Sequence, residues 1–237
     1  MTYPTNSDKK TARIAGALYL MLCAAGFFYL RYVPSKLIVR DDPSVTVSHI
    51  IASETLFRVG ILVGIIGYIL FLVLPMVLYK LLSPVNKMHA ILMVSLAVVS
   101  VPVSLTNLLN QFAVLTLIGK ANYLLVFEAE ELQARVMFYL DCYRNGNLLA
   151  SVFWGLWLFP FGYLVFKSGF LPKLIGILLM MGCFGYVANF VGRFLIANYS
   201  DLGISSYITI PGSLGELGIC LWLLIRGVKT QTEASGK

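Results

Sequence analysis

Six long apolar runs alternate with short polar connections along the chain, and each is long enough to hold a membrane-crossing helix of about 20 residues. They run roughly Arg13–Tyr32, Phe57–Leu82, Ala90–Leu117, Val136–Phe166, Leu174–Asn198 and Ile208–Gly227. Pro84 breaks the chain after the second run, and Ser168-Gly169-Phe170-Leu171-Pro172 predicts a short turn into the fifth. The fourth run exceeds what the hydrocarbon alone requires, so its first turns are expected to protrude or to lie at the interface. The expected fold is all-α: a polytopic bundle of six transmembrane helices over residues 11–228, with polar, disordered cytoplasmic tails at 1–10 and 229–237.

Composition agrees with the pattern. Apolar residues make up 59% and charged residues 12% of the 237, and the mean hydropathy is +0.83; soluble domains carry roughly 25% charged residues. The first run follows Lys9, Lys10 and Arg13 as a secretory signal would. It outlasts a typical signal core and lacks a following A-x-A site, and bulky Leu22 before Cys23 argues against a lipoprotein site. The run therefore reads as a retained span.

Basic residues set the orientation. With the N-terminus inside, Lys9, Lys10, Arg13, Lys80, Lys87, Lys167, Lys173, Arg226, Lys229 and Lys237 all fall on the inner side, against only Asp8 and Glu233. Both termini are expected in the cytoplasm of a cell with an inner membrane. The net charge of +7 is then an orientation signal that also attracts anionic lipid. No clustered Lys/Arg with interleaved aromatics is present, so no nucleic-acid partner is expected.

The outer connections carry content of their own. Ser44–Glu54 places Val47, Ile50 and Ile51 near one helical face and predicts a short interfacial helix. Glu128, Glu130 and Glu131 between Lys120 and Arg135 read as a solvated acidic turn. The first three spans do not repeat in the last three, so an inverted-repeat transporter gains no support.

Polar residues inside the runs are not scattered. Glu54 and Arg58 open the second span at an i,i+4 spacing; Asn107, Asn110 and Gln111 close the third. Asp141, Arg144, Asn145 and Asn147 lie early in the fourth, Asn189 and Arg193 late in the fifth, and Ser213 and Glu216 early in the sixth. Alternating threading puts all five sets in the outer third of the bundle. Intramembrane charge costs about 2.5 kcal/mol or more and needs a partner or water. Three acids (Glu54, Asp141, Glu216) match three arginines (Arg58, Arg144, Arg193). An outward polar pocket for a small polar or zwitterionic ligand or a lipid headgroup is one reading, lined by Glu54, Arg58, Asn107, Asn110, Asp141, Arg144, Asn189, Arg193 and Glu216. A closed ion-pair and amide network that pins the helices is the other.

Other chemistry finds little support. Cys23, Cys142, Cys183 and Cys220 stand singly, and His49 and His89 are far apart, so neither a disulfide nor a metal site is expected. HExxH is absent, no serine in the spans has a histidine base beside it, and arginines near Asp141 and Glu216 would keep both ionised. No catalytic residue, metal or cofactor is expected. The glycines Gly60, Gly64 and Gly67, and Gly212, Gly215 and Gly218, predict close helix packing, and Pro102 predicts a kink.

The runs ARIAGALYLML, SKLIVRDDPSVTVSHIIASETLFRVG, GYLVFKSGFLPKLIGILL and GELGICLWLLIRGV resemble a bacterial membrane family catalogued as domain of unknown function 4386. The resemblance covers roughly Ala12 to Gly227. Its most specific parts are Ser53, Glu54, Phe57 and Arg58, the SGFLP turn, and Gly215-Glu216. It implies a polytopic membrane protein and brings no established activity, substrate or cofactor. One departure stands at Trp157, near which members often carry a histidine, so any His-dependent chemistry is not expected here. The resulting expectation is a protein that binds or senses a small polar ligand or lipid headgroup. A structural accessory subunit and a membrane enzyme acting on lipid are the rivals, and the bilayer is the one sure partner.

Overall fold

The computed structural model describes residues 5–119, 121–199 and 202–228. Among these it is helical throughout, without strands. The helices are α1 (Asn6–Phe27), continued by a π-helical turn (Phe28–Tyr32), α2 (Val33–Leu37), α3 (Pro43–Ala52), α4 (Glu54–Leu82), α5 (Lys87–Asn107) and α6 (Leu109–Ile118). After a 3₁₀ turn (Asn122–Val126) come α7 (Ala129–Leu156), α8 (Leu158–Lys167), α9 (Lys173–Leu195), α10 (Ile204–Ile208) and α11 (Ile210–Ile225). Five helical stretches are long and apolar enough to cross a membrane: 6–37, 54–82, 87–118, 129–167 and 173–195. The sixth expected span is represented by α11, which at 16 residues is shorter.

Helix ends differ from the sequence expectation where capping decides them. The helix starts at Asn6, inside the stretch expected to be disordered. Thr5 and Asp8 explain it: the Asp8 carboxylate accepts from the Thr5 amide at 2.7 Å, and Thr5 Oγ1 accepts from the Asp8 amide at 3.4 Å, a reciprocal cap. Residues 1–4 and 229–237 of the expected tails lie outside the described residues. The acidic turn before the fourth span is helical from Ala129, with Glu130 and Glu131 in the first turn of α7. There they complement the partial positive charge of the helix N-terminus, and Glu131 pairs with Arg135 at 2.7 Å; Lys120 is outside the described residues. The helix predicted over Ser44–Glu54 is α3, started by Asp42, whose carboxylate accepts from the Val45 amide at 3.0 Å.

The chain forms two compact units, and α1, α4, α5 and α7 contribute residues to both. The first comprises residues 1–23, 70–101 and 149–237. Its aromatic centre is Trp157, stacked on Phe161 at 5.2 Å and met edge-on by Phe71 at 5.1 Å. Trp157 is thus a buried packing residue. Backbones meet at glycines here: Gly162 faces Gly176 between α8 and α9, and Gly182 faces Gly212 between α9 and α11. A Cβ added at Gly182 would stand 2.5 Å from the Gly212 Cα, so α9 has no room for a side chain there, and one at Gly212 would be tight at 3.1 Å from the Gly182 Cα.

The second unit comprises residues 24–69 and 102–148. Its apolar core joins Val33 and Leu37, Val47 and Ile50, Phe57 and Ile61, Val114, and Val136 and Leu140. Here Gly60, Gly64 and Gly67 of α4 make room for the side chains of Val33 and Tyr29 rather than for another backbone. Pro102, from which a kink is expected, lies inside α5, and the break between α5 and α6 comes six residues later at Leu108.

Candidate functional site

Within the second unit, the expected charged residues pair along their own helices. Arg58 Nε reaches Glu54 Oε1 at 2.7 Å, one turn apart on α4, and Arg144 reaches Asp141 at 3.1 Å on α7. These four side chains are 43–59% exposed, so their charges are not spent inside the protein. A pair confined to one helix cannot tie that helix to a neighbour, and exposed pairs of this kind are worth about 0.2–1 kcal/mol.

What joins helices in this unit is neutral. Asn107, at the C-terminal end of α5, is buried. Its Nδ2 donates to the Tyr143 carbonyl at 2.8 Å and to Asn147 Oδ1 at 3.1 Å, both on α7. Its Oδ1 accepts from Asn110 Nδ2 at 3.0 Å. The amide lies directly over Gly146, whose missing side chain leaves the space. Two of the nine expected site residues, Asn107 and Asn110, thus come together as an interhelical seam, and α7 supplies Asn147, which the sequence placed on the same span.

Beside the seam lies a set of hydroxyls that sequence reasoning missed. Tyr68 of α4 neighbours the hydroxyls of Tyr29, Tyr143 and Ser104, and its ring meets Tyr29 edge-on at 5.5 Å. Tyr29 sits in the π-helical turn within the first helical stretch, 6–37, an irregularity that recurs at functional positions. Tyrosine reads as apolar in a hydropathy pattern, and the sequence marked this place only through Gly64 and Gly67, which lie against the Tyr29 ring.

In the first unit, Arg193 Nε reaches Asn189 Oδ1 at 3.3 Å, one turn back on α9, and its guanidinium reaches Ser205 Oγ of α10 at 3.1 Å. Glu216 sits on α11, half-buried, and no ion pair holds it among the described residues. Its electrostatic neighbours are Tyr19 and Cys23 of α1. No group of three or more His, Cys, Asp and Glu side chains that could hold a metal ion occurs among the described residues.

Comparison with known proteins adds the family. The profile of the family described as Domain of unknown function (DUF4386) matches residues 14–227. The chain belongs to this family. It is also similar to an uncharacterised protein of Archaeoglobus fulgidus, 34% identical over 82 residues. That match covers 34% of this chain and 46% of the relative, so the chain spans about half of that relative's length. No solved structure matches. The family brings the residues Glu54, Arg58 and Glu216 inside its matched range but no chemistry with them.

Proposed function

We propose that this member of the family is a six-span membrane protein with both termini in the cytoplasm, and that it binds a zwitterionic polar group, a lipid headgroup above all, at the outer ends of α4 and α7. Support for the sixth span comes from α10 and α11, which together occupy Ile204–Ile225 with only Thr209 between them. At 1.5 Å per residue that is roughly 33 Å, enough for a hydrocarbon core of about 30 Å.

The observation that carries the binding reading is the spacing of charge along single helices. Arg58 precedes Lys80 by 22 positions on α4, and Arg144 precedes Lys167 by 23 along the continuous stretch 129–167. These separations are roughly 33 and 34 Å, slightly more than the hydrocarbon thickness. With Lys80 and Lys167 at the inner boundary, Arg58 and Arg144 stand at the outer headgroup level. Each has its acid one turn away, half-exposed, so guanidinium and carboxylate are offered side by side. A phosphate would take the guanidinium by charge-assisted hydrogen bonds, and an ammonium would take the carboxylate. The Asn107 seam already holds α7 against α5, so the Asp141–Arg144 pair has no packing duty there.

A stabilisation screen on the purified protein tests this reading, with co-purifying small molecules and lipids identified by mass spectrometry. Zwitterionic phospholipids should raise the unfolding temperature in a dose-dependent way and be found co-purified. Indifference to every headgroup at saturating concentration would overturn it.

A further inference from the structure

The seam between α1 and α11, inside the first unit, brings two cysteines together. The two helices touch backbone to backbone where Gly16 meets Leu224. Cys23 lies seven positions after Gly16 and Cys220 four before Leu224, so each shares a helical face with the contact point. The Cys220 thiol donates to the Gly16 carbonyl oxygen at 3.6 Å, and the Cys23 thiol hydrogen-bonds Cys220. Both are free thiols, Cys23 half-buried and Cys220 buried. Glu216, one turn from Cys220 on α11, lies near enough to Cys23 and Tyr19 to interact with both electrostatically. The Tyr19 hydroxyl, buried here, has no hydrogen-bond partner. A thiol pair, a carboxyl group able to take its proton, and a spare hydroxyl therefore meet beside the backbone contact of α1 with α11.

We propose that Cys23 and Cys220 form a reversible dithiol–disulfide pair across this seam, oxidised by a membrane-permeant two-electron acceptor such as a diazene or a quinone, with Glu216 accepting the thiol proton. The more accessible Cys23 loses its proton to Glu216, and its thiolate adds to the acceptor. The Cys220 sulfur then attacks Cys23: one S–S bond forms, the bond from Cys23 to the acceptor breaks, and the acceptor departs reduced by two electrons, taking one proton from the Cys220 thiol and one back from Glu216. Closing the pair links the first span to the last covalently. An apolar seam excludes aqueous disulfides, which is why the acceptor must be lipid-soluble.

Treating the full-length protein in detergent with diamide, a membrane-permeant diazene, tests this. The intact mass should fall by two hydrogens, peptide mapping should show Cys23 joined to Cys220, and dithiothreitol should restore both thiols. Cys23→Ser and Cys220→Ser should each abolish the intramolecular link, while Cys142→Ser and Cys183→Ser leave it unchanged. Glu216→Gln should slow its formation at least about ten-fold without lowering the final yield, as loss of a proton acceptor does. Full maleimide labelling of Cys23 and Cys220 in denaturant after diamide treatment would overturn the pairing, as would a link through Cys142 or Cys183. An unchanged rate in Glu216→Gln would overturn the role given to Glu216.

Discussion

Asn107 and Gly146 form one contact seen from two sides: the amide of α5 occupies the space a side chain on α7 would need. Asn107→Ala should lower stability by about 1 kcal/mol, the scale of interhelical hydrogen bonds in membrane proteins. Gly146→Ala should cost about 2 kcal/mol through overpacking. In the double variant the amide is gone and the new methyl has room, so the loss should be smaller than the sum. Thermal unfolding of the four proteins in one detergent gives this cycle. Asp42 offers a residue-level test by pH. Bonds from the Val45 amide and the Ser44 hydroxyl hold its carboxyl below the usual range. A carboxyl depressed in the folded state stabilises above its unfolded pKa, and that contribution is lost as pH falls through the folded one. Protection of the α3 amides against hydrogen exchange, corrected for intrinsic rates, should therefore fall with acidification below the ordinary carboxylate range. In Asp42→Asn, which keeps an acceptor but cannot titrate, that step should vanish. The spacing of Glu54 with Arg58 was legible in the sequence because an i,i+4 pair needs only one helix. The shortest bond of Asn107 was not, since Tyr143 is met through its backbone carbonyl at 2.8 Å, which no side-chain pattern reveals.

At the scale of elements, glycines in the last three helices sort into two kinds. Gly182 and Gly212 meet backbone to backbone, whereas a Cβ at Gly218 would find only Ile175 side-chain atoms at 3.6 Å, an ordinary contact. Gly182→Ala should destabilise by about 2 kcal/mol because backbone cannot yield. Gly218→Ala should be neutral or stabilising, by up to about 1 kcal/mol from helix propensity. Unfolding midpoints of the two variants decide it. The long apolar runs were readable because hydrocarbon thickness imposes their length; their ends were not, because caps such as Thr5–Asp8 and Asp42–Val45 act through single hydrogen bonds. Acids before the fourth span looked solvated by composition and are exposed, but Glu130 and Glu131 begin a helix, whose N-terminus welcomes the same charges.

At the scale of the whole molecule, the charged pairs of α4 and α7 need a purpose. If Glu54–Arg58 and Asp141–Arg144 were there to hold helices together, removing an arginine would loosen the fold. They are half-exposed pairs within single helices, so the account assigns them to a polar group outside the protein. The measurement that tests this most directly compares the unfolding temperature of wild type with that of Arg58→Ala and Arg144→Ala, each with and without added zwitterionic phospholipid. The account predicts that unliganded midpoints shift by no more than the roughly 0.2–1 kcal/mol of an exposed pair, while the lipid-induced rise is lost in both variants. Variants that unfold several degrees earlier without lipid and still show the full lipid-induced rise would contradict it.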